Sequence, residues 1–412
     1  MSVYGATDEQ LQLVAPGVWQ RLAVRLRATT MPVRAFVASR ILVFAAGMAG
    51  VLFATKRDPA AAAVHLHTLG PVGNLLAGSV DRFDADWYVW VANHGFSGSN
   101  GSLAFFPLYP LLMRVGSFVT RSEVIAGAVI SAACFMAALV MLHRLTELEL
   151  GRKPADATVL LLAFAPLSFF FTAVYTESLF LMLSVATVLA ARRGHWRLAC
   201  ALGALATLAR PTGLMLVVAL GVMRIRERRG VDRGLAWVLA LPAALIAYLS
   251  VLAASGYSFM GPFQAQSHWH RSMIGPFLGV VDAIGWAAIR LGRIAHGTPF
   301  YHPSYEGPFT LAGQSLVLLA VLVIACLALY GCRRLPLEYG AYAAAVLLLV
   351  LSSPWSGQPL ESFDRFTLTI FPLWMAGGAW LARRRLVVPV LAVSSVLLVF
   401  YTVQFSSFAF LG

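Results

Sequence analysis

The sequence predicts an all-α polytopic membrane protein with about eleven crossings, and three observations predict it. Of the 412 residues, 59% are hydrophobic and 12% are charged, where a soluble chain runs at ~45–50% and ~25%. Apolar runs recur from residue 36 to residue 404, near the ~20 residues that a ~30 Å bilayer core requires of a helix. The net charge of +13 is gathered into short basic clusters between those runs. Such a composition excludes a soluble chain and a disordered one. Positive charge alone would suit a nucleic-acid binder, but its placement argues for a topology signal and against nucleic acid as a partner.

The runs 36–54, 124–142, 157–173, 176–191, 235–254, 309–331, 337–353, 366–382 and 386–404 read as spans. Basic residues mark cytosolic ends. They cluster before residue 36, at Arg144, Arg152 and Lys153, at Arg192, Arg193 and Arg197, at 224–233, at Arg333 and Arg334, and at 383–385. The pattern alternates except around 198–221. As one helix, that run would carry the 224–233 cluster outside. Broken at Arg210-Pro211-Thr212-Gly213, it becomes a hairpin and returns the cluster to the cytosol. Proline and glycine are the residues that break a helix. The hairpin keeps the charge pattern and brings the crossings to eleven, N-terminus inside and C-terminus outside. An arginine at such a break is costly in lipid and should face a wet or anionic cavity.

This topology leaves residues 1–35 as a cytosolic segment, within which 17–28 reads either as a basic amphipathic helix on an anionic leaflet or as a plain stub. Residues 55–123, 255–308 and 354–365 fall outside. The stretch 103–118 holds two prolines and Arg114 and should lie in the interface. No signal peptide is evident. No repeat or low-complexity linker divides the chain, so 1–412 reads as one membrane domain. Cys134, Cys200, Cys326 and Cys332 lie in or beside apolar runs and read as packing residues. All but Lys56 and Lys153 of the 31 basic residues are arginine. That bias fits a GC-rich bacterial genome, and hence a bacterial inner membrane.

The densest acidic cluster is Asp81, Asp84 and Asp86, directly before Trp87, Tyr88 and Trp90. Trp and Tyr favour the membrane–water interface, which sets the carboxylates just outside the bilayer. There a carboxylate could act as general base toward a hydroxyl on a lipid-linked acceptor, with aromatic faces holding a sugar or lipid stem. The same residues also read as a solvated loop beside an aromatic belt. No HExxH, P-loop, GxGxxG or GxSxG occurs, so soluble-type nucleotide chemistry has no support. In the second loop, Gln264, Gln266, His268, Trp269, His270 and Arg271 suit anion or sugar recognition, with Arg271 as the fixed charge. His268 and His270 would share a face only on a strand, and two histidines alone make a weak metal site. Asp364 and Arg365 end the third stretch, as a substrate contact or a local surface ion pair. Glu177, at the turn between two spans, could bind a polar substrate or favour the start of the next helix. No cofactor is assigned, and metal dependence is not readable.

Four stretches carry a resemblance. They are FDADWYVWVANHGF at 83–96 with AFFPLYPLL at 104–112, FFFTAVYTESLFLMLS at 169–184, GALATLARPTGL at 203–214, and the pair QAQSHWHR at 264–271 and DRFTLTIFPL at 364–373. In this order they resemble the PIG-V-like mannosyltransferases, of the GT-C class of polytopic glycosyltransferases. The resemblance implies a GT-C fold with interfacial helices in the first external loop. It implies transfer of a sugar from a polyprenyl-phosphate sugar donor to a glycolipid acceptor, with inversion, on the non-cytosolic face. It places the base at Asp84, with Asp86 second, and His94 on the family's histidine. The family has a tryptophan where Phe83 stands, so the aromatic is kept and the indole N–H donor is lost. Tyr109, Tyr175, Glu177 and Arg210 fall in the shared stretches and are expected to bind donor or acceptor, with Arg210 on the donor phosphate and Arg271 or Arg365 assisting. Two alternatives remain from the sequence: another polyprenyl-linked sugar such as arabinose, or a lipid-linked-sugar flippase.

Overall fold

The computed structural model describes residues 18–57, 70–98, 101–228, 230, 232–304 and 307–407. Residues 1–17 of the expected cytosolic segment lie outside these. The first helix, α1 (Val18–Arg57), is continuous, so from Val18 onward the basic stretch is the start of the first span's helix. The stretch expected as the first external loop carries α2 (Gly70–Ala77), α3 (Asp84–His94) and α4 (Leu108–Thr120). One face of α4 buries Tyr109, Pro110, Met113 and Ser117, while Leu111, Val115, Phe118 and Val119 are exposed. Such a two-faced apolar helix suits the interface. Ser122 caps the next helix, α5 (Glu123–Leu150), by accepting the Ile125 N–H at 3.4 Å.

The following helices break at prolines. Helix α6 (Arg152–Ala163) stops short of Pro166, a 3-10 turn covers Ser168–Phe171, and α7 begins afresh (Glu177–Arg192). The expected span 157–173 is therefore part helix and part turn. The break frees carbonyls that need donors. Arg40 of α1, buried, supplies them, bonding the Ala163 carbonyl at 3.2 Å and the Ser168 carbonyl at 2.8 Å. Helix α8 (Trp196–Ala209) ends at Arg210, a 3-10 turn follows (Pro211–Met215), and α9 (Leu216–Arg228) runs back. The Arg224 guanidinium sits 4.9 Å from the centre of the Trp196 ring, so the end of α9 meets the start of α8. A Cβ at Gly213 would collide with the Ala206 carbonyl; only glycine lets the chain fold back so tightly.

The remainder comprises α10 (Ala240–Ala254), α11 (Gly261–Gln264), α12 (Pro276–Ala295), α13 (Leu311–Gly331), α14 (Leu337–Leu351), α15 (Phe363–Thr367), α16 (Phe371–Arg384) and α17 (Val387–Ser406). Between α12 and α13 lies an antiparallel hairpin of β1 (Tyr301–Ser304) and β2 (Gly307–Phe309). Neither this hairpin nor α12 was anticipated. Asp282, Arg290 and Arg293 make α12 look like loop. Its buried stripe of Gly279, Ala283, Ala287 and Arg290 packs it across the ends of α13 and α14. There Arg290 donates to the Leu311 carbonyl at 3.2 Å, and the Ile274 N–H just before α12 donates to the Ser352 carbonyl at 2.9 Å. The span expected at 366–382 begins only at Phe371, because α15 takes the preceding residues.

Among the described residues the architecture is all-α apart from that hairpin, and it is that of a membrane protein. Among the described residues five helical segments are long and apolar enough to cross: Thr30–Phe53, Glu123–Leu150, Arg233–Ala254, Leu311–Arg334 and Val387–Ser406. The other expected spans correspond to shorter or broken helices. Helix α7, 16 residues long, separates two ionic networks by about 24 Å at 1.5 Å per residue. At its C-terminal end Arg192 binds Glu149 at 2.6 Å, Tyr339 donates to Glu149 at 2.8 Å, and Arg226 binds Glu338 at 2.9 Å. At its N-terminal end lies the second network, around Glu177.

Candidate active site

Each acid of this second network stands in the first turn of a helix, Asp84 in α3 and Glu177 in α7, where the helix dipole favours negative charge. The arginines come from loops and breaks. Arg210 closes α8 and Arg365 lies in the short α15. Arg365 Nη1 is 2.7 Å from Asp84 Oδ2, and its Nε is 3.5 Å from Glu177 Oε1. Arg210 Nη1 is 2.8 Å from the same Glu177 oxygen. Asp84 thus heads a chain of alternating charges, and its side chain, 21% exposed, is the most open of the four.

Arg271 joins from the connection that leads into α12. Its guanidinium donates to the Ser353 carbonyl at 3.0 Å and the Glu361 carbonyl at 2.7 Å, and burial lowers its pKa to about 10. The guanidiniums of Arg210, Arg271 and Arg365 lie 5.2, 5.4 and 5.3 Å from the centre of one ring, Phe366. Stacking on an aromatic face lets cations gather that would otherwise repel. Burial raises the carboxyls of two neighbouring acids, Asp364 to about 6 and Glu361 to about 7, the latter helped by Asp364. Asp364 Oδ1 accepts the Arg365 N–H at 2.8 Å.

One turn along α3 from Asp84, Trp87 stacks on Phe105 at 5.7 Å and meets Trp269 edge-on at 5.5 Å and His268 at 6.1 Å. His268 also lines a cleft of about 460 Å³ with Ser97, Gly98, Tyr257, Ser258 and Gln264. Among the described residues that line it, His268 and the Tyr257 phenol are the ionisable groups, and the other side chains offer hydroxyls and an amide. The aromatic wall meets this cleft through His268, and its Trp87 follows Asp84 along α3.

The structure does not gather every residue singled out from the sequence. Asp86 and His94 are exposed on the outer side of α3, with His94 stacked on Trp90 at 4.3 Å. The Tyr109 hydroxyl is fully buried, donating to the Gly127 carbonyl at 3.0 Å. Tyr88 hydrogen-bonds Thr176 at 3.1 Å. Gln266 contributes a backbone carbonyl to the Arg271 N–H at 3.2 Å. His268 lies in a 3-10 turn and His270 just beyond it at φ 53°, so the two do not share a strand face. No group of three or more His, Cys, Asp or Glu side chains gathers for a metal among the described residues. Phe366 and Glu361 were missed, although both stand in or beside the stretch that holds Asp364 and Arg365.

The sequence pattern of the mannosyltransferase (PIG-V) family matches residues 33–228. The chain is PIG-V-like. That match holds Asp84, Glu177 and Arg210, while Arg271 and Arg365 lie beyond it. The GPI alpha-1,6-mannosyltransferase 2 of Cricetulus griseus is 30% identical over 155 residues, 34% of this chain and 31% of the relative. That of Homo sapiens is 31% identical over 153 residues, again 34% and 31%. The PIG-V-like chain spans about a third of the length of the curated relatives it matches. Two crystal structures of the Archaeoglobus fulgidus oligosaccharyltransferase are also similar. One has 13% identity and a TM-score of 0.38, over 78% of this chain and 48% of that one. The other has 11% and 0.40, over 81% and 51%.

Proposed function

We propose that the protein is a GT-C class mannosyltransferase that uses a polyprenyl-phospho-mannose donor on the non-cytosolic face of a bacterial membrane. The observation that carries the reading is the meeting of Asp84 with Arg365, Arg210 and Arg271 around Phe366. A lipid phosphate is the anion such a cluster suits, since arginine–phosphate contacts are charge-assisted and often bidentate. Asp84 takes the proton from an acceptor hydroxyl. That oxygen attacks C1 of the mannose as the C1–O bond to phosphate breaks. The bonding pair leaves with the lipid phosphate, whose charge the arginines stabilise. A single displacement inverts, so a β-linked donor gives an α-mannoside, the linkage named for the relatives. The aromatic wall and the polar cleft suit the glycolipid acceptor.

The placement of the acids favours an enzyme over a lipid-linked-sugar transporter. A transporter gathers its charges near the bilayer midplane, whereas Asp84 adjoins Trp87, Tyr88 and Trp90, residue types that favour the membrane–water interface. Membranes incubated with labelled polyprenyl-phospho-mannose test the reading. Wild type should label a glycolipid, and Asp84→Asn should retain the fold and lose transfer. Robust turnover by that variant would move the base to Asp86; no labelled product from wild type would overturn the assignment.

A further inference from the structure

The candidate base opens a helix whose first N–H is not capped by the side chain of its N-cap residue. Phe83 occupies the N-cap position of α3 and offers no side-chain cap. Its backbone lies at φ 54°, ψ −113°, a conformation strained for an L side chain and free for glycine. The first N–H groups of a helix have no partner within it, and Ser, Thr, Asp or Asn usually supplies one from the N-cap. Here the partner comes from 91 residues away. The Tyr175 hydroxyl accepts the Asp84 N–H at 3.1 Å and donates to the Arg82 carbonyl at 3.1 Å. The two bonds bracket Phe83. One residue earlier, the Val174 N–H donates to the Val80 carbonyl at 3.0 Å. Tyr175 is 2% exposed, and its ring packs against Phe170 and Phe405. Phe405 in turn packs on Phe83 at 5.5 Å.

We propose that Tyr175 is the positioning residue of Asp84. It is a remote cap that holds the strained 82–84 turn and so aims the carboxylate at Arg365 and the acceptor. Its hydroxyl is committed to backbone on both sides, which separates this role from substrate binding. The proposal rests on Asp84 being the base.

Tyr175→Phe keeps the ring and removes both bonds. Since a small misplacement of a reacting group costs about a hundredfold in rate, kcat should fall by about one to two orders of magnitude while the donor KM stays within about twofold. The Asp84 amide should exchange its hydrogen about tenfold faster once its bond is lost, read by mass spectrometry of the 82–86 segment. Adding Phe83→Gly should restore part of kcat in the Tyr175→Phe background, because glycine holds this turn without strain. Unchanged kcat with unchanged exchange overturns the proposal. So does a raised donor KM at unchanged kcat, which would make Tyr175 a binding residue. If wild type transfers no mannose, the enzyme reading fails, and the exchange difference still decides the clamp.

Discussion

Arg365 Nη1 lies 2.7 Å from Asp84 Oδ2, across 281 residues of chain. The proposed base is thus held by a group suited to a leaving phosphate, and Glu177 at 3.5 Å balances the same arginine. Removing one member of a largely buried pair strands the other. Asp84→Asn and Arg365→Gln should each lower the unfolding temperature, and the double variant should recover part of the loss. A coupling of about 1–3 kcal/mol is expected from such a cycle; strictly additive losses would dissolve the pair.

Arg210 binds Glu177 at 2.8 Å and stacks over Phe366 at 5.2 Å. Arg210→Ala should cut kcat/KM for the donor by about ten- to a hundredfold, the worth of a charge-assisted hydrogen bond. Acceptor KM should stay unchanged. Because the change leaves the buried Glu177 with only the longer Arg365 contact, a companion Glu177→Gln should restore part of the stability without restoring donor use. Steady-state kinetics in detergent decide it: an unaltered donor dependence removes Arg210 from the site.

The Glu361 carboxyl is raised to about 7 by burial and by Asp364, with Arg271, Gln314 and Arg365 opposing. The protonated form is therefore the one the fold prefers. Its contribution to stability is fully present below the ordinary carboxylate pKa and is lost as pH rises through about 7. Asp364, raised to about 6 by burial, acts in the same direction. Wild type should unfold at a lower temperature at pH 8 than at pH 5.5, and Glu361→Gln should flatten that slope. An equal slope in both proteins would count against a buried, protonated Glu361.

The hairpin of α8 and α9 brings Arg224 back over Trp196. A reporter inserted between α9 and α10 should read on the cytosolic side, together with one at the N-terminus. Gly213→Ala should disrupt the turn at the Ala206 carbonyl and lower the yield of folded protein. An external reading for the insertion would make α8 and α9 a single crossing.

Much of the site was legible because its signals are local. Asp84 beside its aromatic stretch, Glu177 at a span boundary and Arg210 at a Pro-Gly break each stand out in a few residues of sequence. What stayed hidden depends on where broken helices stop. Tyr175 was expected to contact donor or acceptor, and its bonds to Arg82 and Asp84 have no trace at position 175. Phe366 looks like any aromatic at a span edge until three arginines gather on it. Helix α12 was hidden by its charges, since Arg290 turns inward to backbone that sequence spacing does not reveal.

By itself the sequence determined that this is a helical membrane protein, where its apolar runs lie and where a helix must break. Hydropathy, proline and clustered charge act through the few residues on either side, so they can be read in order. Only the tertiary structure decided that residues 84, 177, 210, 271 and 365 share one site. Their convergence depends on how helices shortened at Ala163 and Ala209 and restarted at Glu177 and Phe371 pack together. The attraction between those charges acts through space, over separations that the chain order does not record.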